Sequence, residues 1–412
     1  MKKVAILGST GSIGVNALDV ISKMPDDLSV AGLAAHSNAE LLFKQAKKFR
    51  PSLVSLFDPK ASEEFQGRLN GSSRYLSSGV EGLVQMASDP EVDIVLTSLV
   101  GGVGFAPLLA AIRAGKTIAL ANKEPMVMAG AQFMKEAERW EAKIIPVDSE
   151  PSAIFQCVQG EWDRRGASPD VPASSGAKGE PASRGRKEPF SKIIRRVFLT
   201  ASGGAFYRRK GSLDKVSVDE ALHHPTWKMG KKITLDCATL MNKGFESIEI
   251  MNLFGLNYSQ IEILIHHQSI IHSAVEFTDG SVLAQMSLPD MRLPIEYAMT
   301  YPKRGMRVVK PLNLAEIGSL TFDKPDFRRF PCLELASEAA RKGGGLEAVL
   351  NAADEIALEA FMRKKIKFTD IPRLIEKTMK KFKPKGSLPS LSEIVEIDQW
   401  ARQKAEEIVS RL

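Results

Sequence analysis

The sequence predicts an α/β protein with three parts. A doubly wound parallel sheet comes first, then a central α/β unit on a second sheet, then a C-terminal helical bundle. Three observations carry this reading. A glycine-rich loop, Gly8-Ser9-Thr10-Gly11-Ser12-Ile13-Gly14, joins a strand-like run to a helix-like one. Strand and helix patterns then alternate to about residue 150, as βαβ units require. From about residue 325 the apolar spacing is helical.

The first strand is predicted at residues 3–7, and the helix after the loop carries Val15, Leu18 and Ile21 at helical spacing. Glycines permit a tight turn and close backbone approach, which frees the helix N-terminus to bind a pyrophosphate. The spacing is G-x-x-G-x-x-G rather than the commoner G-x-G-x-x-G, so the strand–loop–helix context carries the dinucleotide reading. Further strands are predicted at 28–35, 52–57, 93–98, 117–121 and 143–148, with helices at 39–49, 107–114 and 130–140. The second strand should end near the adenosine ribose. Its tip reads His36-Ser37-Asn38, with no acid to repel a 2′-phosphate, which favours NADP over NAD.

Residues 1–150 are thus expected to form the nucleotide-binding unit and 151–310 the central one, with 311–324 a linker and 325–412 the helical unit. Within the central unit, 160–189 is rich in Gly, Ala, Ser, Pro, Arg and Lys without hydrophobic period, and reads as a surface insertion with no catalytic role. Strands are predicted at 193–200, 262–265, 270–277 and 281–286. Thr278-Asp279-Gly280 forms a hairpin turn between the last two. Helices are predicted at 345–364, 369–382 and 390–412, the last opening on the capping-box pattern Ser390-Leu391-Ser392-Glu393.

Composition narrows the function classes. The net charge of +7 is scattered rather than gathered into a patch, which argues for solvated surface and anionic substrates, not nucleic acid. No apolar run is long enough to span a bilayer. Cys157, Cys237 and Cys332 are too far apart for a zinc pattern or a disulfide framework, so a reducing, cytoplasmic compartment is expected. Met1 leads straight into the first strand, so no signal or transit peptide is expected.

Two distant stretches read as halves of one site. Val147-Asp148-Ser149-Glu150 closes an apolar run; in an extended chain Asp148 and Glu150 project to the same side. Met241-Asn242-Lys243-Gly244-Phe245-Glu246 has helical character, which turns Asn242 and Glu246 to one face with Lys243 close by. Such acids beside an amide and an ammonium suit a hard divalent cation and a phosphorylated substrate. Taken singly, D-x-E and N-x-x-x-E are common surface patterns. Lys123 and Lys243 are by themselves ordinary solvated lysines, His224 before Pro225 a turn residue, and Trp227 surface packing. Gly244 fits either close approach of a ligand or a helix end.

Read together, the motifs resemble 1-deoxy-D-xylulose 5-phosphate reductoisomerases. The glycine loop, Ala121-Asn122-Lys123-Glu124, Val147-Asp148-Ser149-Glu150, Ala201-Ser202-Gly203-Gly204, His224-Pro225-Thr226-Trp227-Lys228-Met229-Gly230 and the Met241–Glu246 stretch occur in family order. So do Gln268-Ser269-Ile270-Ile271-His272-Ser273, Asp279-Gly280-Ser281 and Pro289-Asp290-Met291-Arg292, while Leu350-Asn351-Ala352-Ala353-Asp354-Glu355 resembles the family's C-terminal region. The resemblance covers the chain apart from 160–189. It implies a Rossmann domain, a central catalytic domain that also makes a homodimer, and a C-terminal helical domain. The implied reaction is the NADPH- and metal-dependent rearrangement and reduction of 1-deoxy-D-xylulose 5-phosphate to 2-C-methyl-D-erythrose 4-phosphate, in the non-mevalonate isoprenoid pathway.

Carried over residue by residue, the resemblance implies Asp148, Glu150 and Glu246 as ligands of Mg²⁺ or Mn²⁺, with Co²⁺ a further candidate. Lys123 and Ser149 would contact the substrate oxygens beside the metal. Ser202, Asn242 and Lys243 would hold the phosphate, and Cys237 stands where the family usually has a phosphate-binding serine. His224 would contact substrate, under a lid formed by Trp227 and Met229. Thr10, Gly11, Ser12, Ile13, Asn122, Glu124 and Gly230 match NADPH contacts, and Gly8 with the His36-Ser37-Asn38 tip completes the cofactor side. Pro151 and His267 also depart from the pattern, replacing a usual histidine and a usual proline. An NADP-dependent semialdehyde dehydrogenase is the alternative enzyme reading, and a non-catalytic dinucleotide sensor the alternative outside enzymes; neither needs the three acids.

Overall fold

The computed structural model describes residues 1–66, 73–160, 190–227 and 229–411. Apart from Gly160, the predicted insertion at 160–189 lies outside them. Seven strands form the first sheet: β1 (Lys2–Leu7), β2 (Leu28–Ala35), β3 (Leu53–Leu56), β4 (Arg74–Tyr75), β5 (Ile94–Thr97), β6 (Thr117–Leu120) and β7 (Lys143–Pro146). Their order is β4-β3-β2-β1-β5-β6-β7, and every pairing is parallel. The strand order reverses at β1, so a crevice opens at its carboxyl end, where ligands of such sheets bind. Strands this short are buried on both faces by helices and read as continuous apolar runs: β1 ends in four buried residues, and β3 and β5 are buried throughout.

Because all seven strands run the same way, the segments that follow β1, β6 and β7 emerge at one edge. These are the glycine loop, Asn122-Lys123-Glu124 and Asp148-Ser149-Glu150.

The second sheet is mixed. β8 (Ile194–Ala201), β9 (Ile261–Ile265), β10 (Ile271–Phe277) and β11 (Val282–Met286) lie in the order β11-β10-β8-β9, with β8 and β9 parallel and the other pairs antiparallel. The expected hairpin joins β10 to β11, and Asp279 Oδ1 accepts the Ser281 N–H at 2.9 Å across the turn. The stretch expected to be a linker is tied down: it carries a short helix, Leu314–Ile317, and Asp323 bridges to Ile265 of β9. Helices Cys332–Lys342, Leu346–Met362, Asp370–Lys381 and Leu391–Val409 close the fold, and the Ser390–Glu393 capping box is formed in both directions. Among the described residues, no helix is long and apolar enough to cross a membrane.

Gly244 lies inside the Met241–Phe254 helix, and its neighbour is another helix rather than a ligand. A Cβ there would stand 2.4 Å from Ala336 Cβ on the Cys332–Lys342 helix. Gly244→Ala forces the two helices apart and should cost about 1–3 kcal/mol, the usual scale of core overpacking. A drop of several degrees in Tm is expected; an unchanged Tm would mean the helices part freely.

Candidate active site

The strand predicted at 143–148 stops at Pro146, and this changes why two acids meet. Asp148 is the N-cap of the helix Ser149–Cys157: its side chain accepts the Ser149 N–H at 3.0 Å, and Glu150 lies in the first helical turn. The extended-chain argument for Asp148 and Glu150 therefore fails, yet the helix turn still gathers them. The Met241–Phe254 helix behaves as its spacing predicts. Asn242 Nδ2 donates to Glu246 Oε1 at 2.6 Å, one turn away.

These two helices face each other across a buried charge lattice. Ligand atoms of Asp148, Glu150 and Glu246 all lie within 4.8 Å of one another. Two ammonium groups are set among them. Lys123 Nζ contacts Asp148, lies 3.1 Å from Glu246 Oε1 and donates to Asn242 Oδ1 at 2.7 Å. Lys243 Nζ lies 2.5 Å from Glu150 and 2.6 Å from Glu246 Oε2. Burial opposes the charge on each lysine, but the surrounding carboxylates outweigh it and hold both above the ordinary lysine range. Glu150 is drawn low because the Lys243 ammonium outweighs its burial. Glu246 goes the other way: fully buried and close to Glu150, its carboxyl is pushed up to about 7. Three carboxyl groups thus face two ammonium groups in one buried cluster.

Around this floor opens a cleft of about 290 Å³. Lys123, Asp148, Ser149, Glu150, Asn242 and Lys243 line its base. Ser202, Cys237, Ser12, Ile13, Trp227, Met229 and Gly230 complete its lining, and Glu246 is buried beneath. Ser202 directly follows β8. Gly203 and Gly204 after it have φ of +92° and +66°, and a Cβ on Gly204 would lie 2.1 Å from the Cys237 carbonyl oxygen, so only glycine lets this loop press on the Lys231–Thr239 helix.

His224 reaches Ser202, with Nε2 2.9 Å from Oγ, while its Nδ1 accepts the backbone N–H groups of Thr226 and Trp227 at 3.1 and 2.9 Å. The proton is therefore on Nε2, which donates to Ser202 and leaves the serine O–H free to point elsewhere. Burial, aided by Lys243, lowers His224 to about 4, so the ring is neutral at physiological pH.

The glycine loop that leads into Ser12 is held shut. Gly8 has φ +98°, and a Cβ on Gly14 would fall 2.4 Å from the Gly8 carbonyl oxygen. Ser9 and Gln45, which sequence reasoning missed, pin the loop by a reciprocal pair of hydrogen bonds at 2.8 and 2.9 Å. Gly11 caps the Ser12–Lys23 helix without a side-chain bond. The first N–H groups of that helix are therefore uncapped by any side chain at the cleft rim.

Three family models match successive parts of the chain. A 1-deoxy-D-xylulose 5-phosphate reductoisomerase model covers residues 4–130, its C-terminal domain model covers 144–254, and a DXP reductoisomerase C-terminal domain model covers 286–404. A 1-deoxy-D-xylulose 5-phosphate reductoisomerase of Elusimicrobium minutum is 51% identical over 410 residues, 100% of this chain and 98% of that protein. The chain belongs to the 1-deoxy-D-xylulose 5-phosphate reductoisomerase family.

The relative from Endomicrobium trichonymphae is 45% identical with both chains covered in full. Among solved structures, a DOX-P reductoisomerase in complex with NADPH, fosmidomycin and magnesium is 38% identical, with a TM-score of 0.88, covering 100% of this chain and 98% of that one. The reductoisomerase of Zymomonas mobilis in complex with NADPH is 37% identical, with a TM-score of 0.85 and full coverage of both chains. Membership sets aside both the semialdehyde dehydrogenase and the dinucleotide sensor.

Most reductoisomerase candidates read from the sequence converge on the cleft or the layer beneath it; a few stand apart. His36, Ser37 and Asn38 are exposed at the end of β2, where Asn38 caps the Ala39–Phe49 helix by accepting the Leu41 N–H at 3.1 Å. Asn122 and Glu124 are buried below the cleft, hydrogen-bonded to each other. Sequence reasoning gave no role to Ile233, Pro289, Asp290 and Met291, which also line the cleft. It also passed over Glu249, buried one turn beyond Glu246, which burial and nearby Asp148 hold well above the usual carboxylate range.

Proposed function

We propose that this cleft rearranges 1-deoxy-D-xylulose 5-phosphate and reduces the product with NADPH, with Asp148, Glu150 and Glu246 holding a divalent cation. The observation that carries the reading is the meeting of Asp148 and Glu150, with Lys123 and Lys243, in the lining of a cleft beneath which Glu246 is buried, beside a helix N-terminus that no side chain caps. Oxygen donors this close, with net negative charge, fit Mg²⁺ or Mn²⁺. The glycine loop fits a dinucleotide, because Gly8 and Gly14 let the turn close on backbone of Ser98 and Gly8, which sets the helix N-terminus, uncapped by any side chain, where a pyrophosphate would approach.

When bound, the cation supplies Lewis-acid stabilisation of substrate oxygens and NADPH supplies hydride. The chain's own groups do the rest. Lys123, held charged by Asp148 and Glu246, stabilises the oxygen that loses its proton as the carbon skeleton breaks and rejoins. Ser149 lies beside it. Ser202, its hydroxyl freed by the neutral His224, donates to the phosphate, joined by Lys243 and by the second N–H of Asn242. Trp227 and Met229 cover the substrate and exclude water. Ser12, Ile13, Thr10, Gly11 and Gly230 contact the cofactor, with Gly8 shaping the loop, Asn122 and Glu124 beneath it and the exposed His36-Ser37-Asn38 tip toward the 2′-phosphate.

Redox balance corrects the product expected above. Rearrangement alone gives the isomeric aldehyde, 2-C-methyl-D-erythrose 4-phosphate. Hydride and a proton then convert it to the alcohol, 2-C-methyl-D-erythritol 4-phosphate. Incubation of the enzyme and 1-deoxy-D-xylulose 5-phosphate with Mg²⁺ and NADPH carrying deuterium at both C4 positions should yield the branched alcohol with one deuterium per NADPH consumed. A reduced product with an unbranched skeleton would overturn the reading.

Cys237 tests the phosphate wall. It is buried on the Lys231–Thr239 helix, and burial pushes its thiol up to about 12, so it offers only a weak S–H donor. Cys237→Ser should lower KM for substrate a few fold to about tenfold, the worth of one better hydrogen bond, with kcat preserved. An unchanged or raised KM with the fold intact would take Cys237 away from the phosphate.

We read the chain as units 1–150, 151–310 and 325–412 joined by 311–324, and as a homodimer through the second sheet. Support for the dimer is the edge strand β11, where Val282 and Leu283 are 53% and 51% exposed. Three free cysteines agree with a reducing cytoplasm.

A further inference from the structure

The family-like stretch Asn351-Ala352-Ala353-Asp354-Glu355 takes no part in the cleft. It lies on the Leu346–Met362 helix, and its two adjacent acids brace two different supports of the cofactor side. Glu355 Oε1 accepts the Gly102 N–H at 3.0 Å and an Asn351 N–H at 3.1 Å, and its Oε2 accepts from Arg402 at 2.7 Å. Asp354, fully buried, stands 3.6 Å from Lys232 Nζ. That ammonium also meets Asp236 at 2.8 Å and Glu124 at 3.2 Å.

Both routes end on Asn122 and Glu124. Lys232 reaches Glu124 directly. The Gly101–Gly104 turn reaches Asn122, whose Nδ2 donates to the Gly101 carbonyl at 3.3 Å and to Glu124. Gly104 lies so close that a Cβ on it would stand 1.7 Å from Asn122 Oδ1. A turn with glycine at 101, 102 and 104 has little side-chain packing of its own, so its place must be fixed from outside. Gly101, at φ +77°, rests directly on Glu355: a Cβ there would stand 2.8 Å from Oε1.

We propose that Glu355 is a positioning residue through which the C-terminal helical layer sets NADPH affinity, by holding the Gly101–Gly104 turn against Asn122. The inference rests on the reading that Asn122 and Glu124 contact the cofactor.

The test uses the full-length enzyme with Mg²⁺, substrate and NADPH. Glu355→Ala should raise KM for NADPH and its directly measured Kd about three- to tenfold, the scale of one lost hydrogen bond. The substrate KM and the kcat at saturating NADPH should stay within about twofold. Glu355→Gln, which keeps an oxygen for the Gly102 N–H, should recover most of the loss. Gly104→Ala, which displaces Asn122 from the other side, should reproduce it, and combining it with Glu355→Ala should give less than the product of the two effects. A Glu355→Ala enzyme that loses Tm while its NADPH affinity holds would overturn the proposal. If that variant does not fold, an unchanged NADPH affinity in Gly104→Ala overturns it instead. Glu124→Gln separates the two readings. Weakened NADPH binding in that variant, with none in Glu355→Ala and Gly104→Ala, refutes the bracing alone; unchanged binding in Glu124→Gln and Asn122→Ala refutes the cofactor contact beneath it.

Discussion

The Glu246→Gln enzyme is expected to fold, bind NADPH and fail to turn over. Burial and the neighbouring Glu150 already push Glu246 to about 7, so the protein pays little for a neutral group at that position. The amide keeps the shape and one acceptor: its oxygen can still take Asn242 and Lys123, while its NH2 replaces the oxygen that Lys243 meets. What is lost is one of the three carboxyl groups proposed to hold the cation. Without it the two ammonium groups balance the two remaining acids, so a bound dication would leave two uncompensated positive charges in the buried cluster where the native count leaves one. Losing about 3–5 kcal/mol of transition-state charge stabilisation lowers kcat by about 10²–10⁴ at millimolar Mg²⁺. NADPH Kd, read by fluorescence, should be unchanged. Near-normal turnover would remove Glu246 from the metal site.

Gly14→Ala should instead strike the cofactor. The added methyl group would lie 2.4 Å from the Gly8 carbonyl oxygen and 2.5 Å from Ser9 Cα, both backbone atoms that cannot swing aside. The loop must open, and the helix N–H groups of Ser12 and Ile13 leave the position proposed to receive a pyrophosphate. Losing one or two charge-assisted hydrogen bonds weakens NADPH by about 10²-fold or more. Overpacking also lowers stability by about 1–3 kcal/mol. Equilibrium binding of NADPH decides it, and native affinity would show that the loop does not form the pyrophosphate seat.

Where the signal was local and periodic, the sequence was legible to the residue. The strand predicted at 28–35 and the helix at 39–49 coincide with Leu28–Ala35 and Ala39–Phe49. The strands at 52–57 and 93–98 each lose a residue at both ends, where the chain turns into loops. Arg74–Tyr75 is too short to have a period. Asp148 and Glu150 were paired for the wrong reason, although a signal was available: Pro151 in the first turn after an aspartate is a helix-start pattern, not a strand. For Asn242, Lys243 and Glu246, helical spacing alone gave the right face. No spacing within the sequence relates Asp354 and Glu355 to Lys232 and Gly102, because those contacts cross between distant elements. Gly244 was read against ligand or helix end because its neighbour, Ala336, is likewise distant in sequence.

The central claim is that three carboxylates, two lysines and a dinucleotide loop form one metal-dependent reductase site. The most direct measurement is substrate-dependent NADPH oxidation by the full-length enzyme, first with Mg²⁺, then after exhaustive chelation, then with Mg²⁺ or Mn²⁺ restored. Oxidation of NADPH with 1-deoxy-D-xylulose 5-phosphate that vanishes on chelation and returns with the cation is the predicted result. Turnover that survives complete removal of divalent metal would contradict the account.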